Sequence, residues 1–538
     1  MTVDCTRDGS TLTVAGVGNE HAVWRYEGAD SRLIGSVLRL RRHREPALTA
    51  AESPLVRLLG AGLVPRPCPV RLDASVADAL CASVGHAITP PQAAIAATVT
   101  AMREALDAPA TAAVAGPSAD GAASGWLEPD ATRLHTARGG AARRLCVELK
   151  PKCGILPAAT GPLAAFAPGR CRFCLYADLK ARRRAGAAAA TAEPPQASPS
   201  GAAPAADGAR RYCPLDLYSH DGALMREALS SLLASPRNNL RVRSEDGALV
   251  FGGEAGVDRA GLRAELRRVV HSGSAGATQC GAAATSEEEA VEAELVSVLA
   301  SVLQQEPVLR RLRAVQARAA CLSSACALAL YERGLQLAGG GDELRALVAS
   351  RAQSCSCGGA CGGARDGRAP PCESPGWPLP PHFDSRRGAA DACECSLDAC
   401  VSSLADWLLS LTAADVSVMV TFARQLPAET EAAADEQLAG GQLTAAELGG
   451  GVAPTPAEQP RGTLSPGTVF TARGDAYWYR VTVVDVQLKP LSKVAEHAAL
   501  DERIVCDDGR LPGRVCDPNA RGAMRARAAL LERAMGDT

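Results

Sequence analysis

The chain reads as an α+β protein with two lobes, and three observations lead there. Its 538 residues exceed the ~250–300 that one hydrophobic core organises, so more than one compact body is expected. Short β-branched apolar runs alternate with longer stretches at helical spacing, and no internal repeat is visible. Between them lie long Ala/Gly/Pro/Ser-rich segments without any apolar period, which read as flexible insertions in surface loops.

Strands are expected over 33–40, 145–149, 416–422 and 480–488, each short, apolar and β-branched. Asp221 is placed to cap a helix running to Ser235, with Leu224, Met225, Ala228, Leu229, Leu232 and Leu233 at helical spacing. Pro236 ends that helix and leaves Asn238, Asn239 and Arg241 in the following loop. Further helices are expected over 288–320 and 521–535. The insertions fall near 108–125, 181–208, 271–285, 355–381 and 429–466.

Composition narrows the partners. A net charge of −2 provides no global basic field, and aromatic residues are scarce, so nucleic acid is not expected and a polyanion site must be a local patch. The first ten residues are polar and charged, and no apolar run approaches the ~20 residues that span a bilayer. A monomeric protein of the cytoplasm or nucleus, without membrane insertion, is expected. The 20 cysteines are scattered apart from one dense cluster between Cys355 and Cys400, which suggests reduced thiols, some of them metal ligands.

The most informative stretch is VELKPKCG, Val147 to Gly154. An apolar run carrying one acid, Glu148, ends on two lysines that bracket a proline, Lys150 and Lys152. Pro151 fixes its own φ and biases Lys150 toward an extended conformation, so two cations sit on a stiff tip at a strand end, suited to a polyanion. Asp485 stands inside the apolar run 481–488, where a carboxylate is costly unless paired or bound to a metal. Asp415 directly precedes the strand expected over 416–422, and a cap or turn role competes there with a metal contact. Lys489, Lys493 and His497 are spaced by four, and with Pro490 as first helical residue they share one helix face, either solvated or gripping phosphates. Gly16 and Gly18 permit a tight turn whose amides can approach phosphate oxygens, or a plain hairpin. Arg39 shares a strand face with Val37 and needs an anionic partner, either nucleotide phosphate or a carboxylate.

The Glu-x-Lys-Pro-Lys motif of Glu148 to Lys152 resembles that of the inositol-pentakisphosphate 2-kinases. The likeness recurs in the family's order through GVGNEHAVWRY, VLRL, CRFCLYADLK, YCPLDLYSHD, NNLRV, ADVSVMVTF and VDVQLKPLSKVAEH. It implies a smaller kinase-like N-lobe over 1–128 and a larger inositide-binding C-lobe over 129–538. It also implies an ATP- and Mg²⁺-dependent kinase that phosphorylates the 2-hydroxyl of inositol 1,3,4,5,6-pentakisphosphate. A catalytically silent inositol-polyphosphate-binding scaffold is the alternative. On the nucleotide side the resemblance implies Gly16, Gly18, Asn19, Glu20, His21, Arg39, Glu148 and Arg241, with Pro129, Asp130 and Ala131 as an adenine hinge acting through its backbone. For catalysis it implies Lys150 with Asp485 and Asp415: Asp485 as the Mg²⁺ ligand, and Asp415 either as a second metal contact or as the group that orients and deprotonates the attacking hydroxyl. For substrate it implies Arg44, Lys152, Tyr176, Lys180, Asn238, Asn239, Lys489, Lys493 and His497.

Several positions depart from the family pattern. Val17 and His21 replace a glutamate and an asparagine, Tyr176 a histidine, and Lys493 and His497 an arginine and a tyrosine. The family's substrate arginine before the hinge has no counterpart. Plant members hold a zinc with two histidines and two cysteines, and Cys357, Cys361, His382 and Cys395 are the candidate set here for a structural Zn²⁺.

Overall fold

The computed structural model describes residues 12–17, 21–28, 30, 33, 35–41, 53–60, 62–64, 68–86, 92–107, 123–132, 143–159, 161–167, 169–191, 211–253, 256–270, 284–354, 395–425, 467–471 and 474–506. The chain divides into two compact units. One is assembled from residues 1–149, 236–306 and 417–484, the other from 150–235, 307–416 and 485–538. Each is built from three separated segments, where the sequence suggested two contiguous lobes.

The first unit holds two antiparallel sheets. One contains β1 (Leu12–Val17), β2 (His21–Tyr26), β3 (Ser36–Arg41), β4 (Cys68–Leu72) and β5 (Ala123–Pro129), in the order β1-β2-β3-β5-β4. Trp24, Leu38, Leu40, Val70, Leu72 and Leu127 form a core with Leu80, Ile95, Val99 and Met102 of the helices Ala74–His86 and Gln92–Asp107. Because side chains alternate along a strand, Val37 and Arg39 lie on the face of β3 opposite Leu38 and Leu40. Arg39 is therefore not on the core register that the sequence suggested.

The second sheet contains β6 (Arg144–Leu149), β7 (Leu240–Arg243), β8 (Leu249–Gly252), β9 (Ser417–Arg424), β10 (Gly467–Phe470) and β11 (Ala476–Val484). Its order is β10-β11-β9-β6-β7-β8. The central strands β6 and β9 are buried almost end to end, which is why they read as continuous apolar runs rather than alternating ones. Tyr477 and Tyr479 of β11 donate to Glu294 (3.2 Å) and to Glu306 (2.9 Å), tying the sheet to the helix Ala284–Gln305 and the residue after it.

The described part of the second unit is helical. It comprises Pro162–Phe166, Arg172–Thr191, Pro214–Leu217, Gly222–Ala234, Val308–Ala317, Ser324–Ala338, Gly341–Ser354, Leu397–Ala413 and Ser492–Cys506. Asp221 caps Gly222–Ala234 as expected, accepting from the Ala223 N–H (2.7 Å) and the Leu224 N–H (3.2 Å). Among the described residues, no helix is long and apolar enough to cross a membrane.

The elements depart from the sequence reading in five places. The strand expected over 480–488 is β11, ending at Val484, because Asp485 adopts φ 62 and leaves the extended region. The helix expected over 288–320 is two helices broken at Pro307, which lacks the N–H a continuous helix requires. Arg241 lies within β7 rather than in a loop. The last helix starts at Ser492, so Pro490 and Lys489 precede it. The insertion read at 181–208 begins as helix, since Arg172–Thr191 continues through an alanine run of high helix propensity. Most of the other insertions, and the helix expected over 521–535, lie outside the described residues.

The cap at Asp221 makes a simple test. Asp221→Ala leaves two N-terminal amides without a side-chain acceptor and should lower stability by about 1 kcal/mol. Chemical denaturation followed by helical circular dichroism should show an earlier midpoint, with Asp221→Asn close to the unmodified protein.

Candidate active site

The Lys-Pro-Lys tip leaves β6 at Leu149, and its backbone polar groups are held from three sides within the second unit. Tyr212 donates to the Pro151 carbonyl (2.7 Å). The Gln316 side chain accepts from the Gly154 N–H (2.8 Å) and donates to the Lys152 carbonyl (3.1 Å). Tyr218 also donates to the Lys152 carbonyl (3.4 Å). Gly154 lies so close to the Tyr218 ring that an added Cβ would come within 2.3 Å of it, so only glycine fits. Thus held, Lys152 adopts φ 63, a region that non-glycine residues rarely occupy.

This conformation accompanies a contact between Lys152 Nζ and Asp415 Oδ1 at 3.0 Å. Lys489 Nζ approaches the other oxygen, Oδ2, at 2.7 Å, so one carboxylate bridges two ammonium groups. Burial alone would raise the Asp415 carboxyl, but the two lysines outweigh it and hold it well below the usual carboxylate range. Asp415 is therefore ionised at neutral pH and a weak proton acceptor, which favours metal binding or orientation over general-base work. Each ammonium has three donors and gives one to this carboxylate. The Lys489 N–H donates to Thr412 Oγ1 (3.1 Å), fixing the approach of that lysine. Lys150 Nζ stands 3.5 Å from Asp485 Oδ2, and Asp485 is the second of these residues at positive φ.

The three-member basic face expected at Lys489, Lys493 and His497 is not uniform. Lys493 and His497 share the helix Ser492–Cys506, and Lys493 pairs with Glu496 at 2.6 Å. Burial, then the charges of Arg172 and Lys493, push the His497 imidazole down to about 3. His497 is thus neutral at pH 7 and offers a hydrogen bond instead of a charge, a correction to its reading as a basic group. Arg172 itself is held by Asp501 and by the His497 carbonyl. Lys180 lies over the Tyr176 ring at 4.3 Å, a cation–π contact that positions it beside the Leu163, Leu175, Leu179 and Ile504 cluster.

The residues expected on the nucleotide side belong to the first unit, as do Asn238 and Asn239, which were expected on the substrate side. Glu148, buried in β6, accepts from Ser417 (3.0 Å) and stands 3.5 Å from Arg241 Nη1 on the neighbouring strand. Asn239 is 5 % exposed, and among the described residues its Oδ1 has no partner, whereas Asn238 is exposed. Arg39 pairs with Glu128 at 3.4 Å, so a carboxylate occupies the place expected for phosphate. In the segment expected to serve as hinge, the Asp130 carboxylate accepts from Arg25 (2.6 Å) and from the Thr132 hydroxyl (2.6 Å). Its N–H donates to Gly35, and its carbonyl accepts from Arg480. The Ala131 carbonyl accepts from Thr421 (2.7 Å). These internal bonds restrict the backbone recognition expected there. Gly16 pairs with Val23 in the β1–β2 ladder. Gly18, Asn19, Glu20 and Arg44 lie outside the described residues, as do the side chains of His21 and Pro129.

Of the cysteines read as a zinc set, Cys395 is buried, and Cys357, Cys361 and His382 lie outside the described residues. The structure instead gathers Cys171, Cys174 and Cys213, whose sulfurs all lie within 4.8 Å of one another. Cys171 Sγ and Cys213 Sγ are 3.9 Å apart, and the Cys174 N–H points at Cys171 Sγ at 3.4 Å. Hydrogen bonds from Cys171 and Cys174 pull the Cys213 thiol down, while those to Cys174 and Cys213 raise Cys171. The sequence signal was present as a Cys-x-x-Cys within CRFC, passed over for the denser cluster downstream. Gln316, Thr412 and Ser417 carried no signal, since one polar residue in a helix or strand has no pattern.

The ordered motif blocks agree with a comparison of the whole sequence. The chain belongs to the inositol-pentakisphosphate 2-kinase family, whose model matches residues 15–503. An inositol-pentakisphosphate 2-kinase of Danio rerio is 35% identical over 107 residues, which cover 20% of this chain and 18% of that protein. The chain thus spans less than a fifth of the length of that relative.

The depressed His497 has a direct readout. Between pH ~6.5, where an ordinary histidine titrates, and about 3, the unfolded chain binds a proton here that the native state does not. Native stability therefore falls as pH drops through that window. In NMR, the His497 ring signal should stay flat from pH 8 to 5; a midpoint near 6.5 would show an imidazole open to solvent.

Proposed function

We propose that this protein is an ATP- and Mg²⁺-dependent kinase that transfers the γ-phosphoryl group to the 2-hydroxyl of inositol 1,3,4,5,6-pentakisphosphate, giving inositol hexakisphosphate. The observation that carries the reading is the Lys152–Asp415–Lys489 bridge, with Lys150–Asp485 beside it in sequence. A pure phosphate cradle gains nothing from carboxylates among its lysines, whereas phosphoryl transfer needs hard oxygen ligands for Mg²⁺. Asp485 and Asp415 would hold that ion, which would offset charge on the phosphates. Lys152 and Lys489 orient substrate phosphates through the donors that Asp415 leaves over, and Lys150, paired with Asp485, serves the phosphoryl transfer. Within the second unit the family resemblance adds Tyr176, Lys180, Lys493 and His497 as substrate contacts; in the first unit it implies Asn238 and Asn239 for substrate and Arg241, Glu148 and residues 129–131 for nucleotide. The P–O bond to ADP breaks as the bond to the inositol oxygen forms, and the hydroxyl proton leaves to solvent, because Asp415 is too acidic to keep it.

Incubation with ATP, Mg²⁺ and inositol pentakisphosphate, followed by anion-exchange separation, should yield inositol hexakisphosphate. Asp485→Asn should abolish turnover and retain most inositol-phosphate binding, since it removes the metal charge and spares the lysines. Binding without turnover in the unmodified protein would favour the scaffold alternative. Full turnover in Asp485→Asn would remove that residue from the metal site.

The Cys171–Cys174–Cys213 group supports a structural Zn²⁺ in the second unit. A tetrahedral ion with Zn–S bonds of ~2.3 Å sets its sulfurs about 3.8 Å apart, close to the 3.9 Å between Cys171 and Cys213. Zinc would cross-link the start of Arg172–Thr191 to the residue before Pro214–Leu217. Metal analysis of the purified protein should find about one zinc per chain, lost in Cys213→Ala. Zinc kept in Cys213→Ala and lost in Cys357→Ala would move the site to the set read from sequence.

A further inference from the structure

Gln316 is wholly buried near the end of the helix Val308–Ala317, and it touches no residue to which the mechanism assigns a direct chemical role except through backbone. Its amide joins two pieces of chain that carry the bridge. Oε1 accepts from the Gly154 N–H (2.8 Å), and Nε2 donates to the carbonyls of Lys152 (3.1 Å) and Ala413 (3.1 Å). Nε2 also lies 3.2 Å from the Tyr218 hydroxyl. These neighbours fix the amide orientation, since a flipped side chain would set its NH₂ against an N–H and its oxygen against two carbonyls. The main chain of Gln316 is fixed as well, its carbonyl accepting from Ser410 (2.9 Å).

The two carbonyls bear directly on the bridge. One belongs to Lys152, whose φ of 63 accompanies its contact with Asp415. The other belongs to Ala413, which ends the helix Leu397–Ala413 two residues before Asp415 and adjoins Thr412, the acceptor for the Lys489 N–H. One amide therefore ties the backbone of Lys152 to the helix end two residues before Asp415. We infer that Gln316 is a positioning residue that holds Lys152 and Asp415 in the register needed to receive a substrate phosphate, an inference that rests on the kinase reading.

The competing view is a buried glutamine that stabilises the helices and nothing more. The isosteric Gln316→Glu separates the two. Ionised, it can accept from Gly154 but cannot donate to either carbonyl; protonated, it recovers one donor, and burial brings its titration up toward the assay range. Its kcat/KM for inositol pentakisphosphate should fall about tenfold or more at pH 8.5 and recover as pH drops to 6, measured against the unmodified protein at each pH. Gln316→Met should show a similar loss without recovery, with the KM for ATP within about twofold. A Gln316→Glu profile parallel to the unmodified one would overturn the proposal, as would equal losses toward ATP and inositol pentakisphosphate. If Gln316→Met fails to fold, the Gln316→Glu profile decides alone. Turnover by the unmodified protein is measured first, and its absence would count against the kinase reading. The same pH-dependent recovery, or its absence, is then read from inositol hexakisphosphate affinity.

Discussion

A single carboxylate shared by two ammonium groups is the interaction on which this site depends. Asp415 draws Lys152 and Lys489 together from segments more than 300 residues apart in sequence. Without the acid, two lysines brought this close would repel each other, and with it they form a fixed pair. The arrangement leaves the cluster cationic overall, so it can still attract a polyanion. It also makes the acid a poor base, which shifts the chemistry toward placement and charge compensation rather than proton abstraction.

Fixing that pair requires unfavourable backbone geometry. Lys152 and Asp485 both sit in the left-handed region, each at a cost on the order of 1–3 kcal/mol. For Lys152 the offset is visible in the hydrogen bonds from Tyr212, Tyr218 and Gln316, which satisfy the tip's carbonyls where solvent does not. Such strain is retained where the surroundings over-determine the conformation. Of the four non-glycine residues at positive φ among those described, Lys152 and Asp485 carry charges of the candidate site, and His220 and Arg237 do not belong to it.

Much of this was legible in the sequence, and the limits have physical causes. The buried strands β6 and β9 announced themselves because strands covered on both faces read as unbroken apolar runs. The Asp221 cap was readable because capping needs a particular side chain at one position. Charged members of the site stood out because acids and lysines inside apolar runs demand partners. Backbone strain was invisible: nothing in the one-dimensional pattern tells that Asp485 turns the chain out of β11. The neutral state of His497 was not legible, because its protonation depends on burial and on Arg172, which lies over 300 residues earlier. Gln316 was silent because a hydrogen-bond hub is defined by its neighbours and not by spacing. Arg39 was expected to meet either nucleotide phosphate or a carboxylate, and Glu128 stands 3.4 Å from it.

The three-segment construction of the first unit has a consequence for synthesis. Strand β6 pairs with β9, yet β9 begins at Ser417, roughly 270 residues after β6 ends at Leu149. At about 5–20 residues per second, the ribosome needs on the order of 15–50 s to deliver that partner. Throughout the interval a strand whose residues 145–149 are buried in the finished sheet lacks the partner for one of its edges, and unpaired edges are templates on which chains aggregate. The sheet's central pairing is thus among the last contacts that synthesis makes possible, since β6 meets its full partner only once the ribosome has passed residue 424.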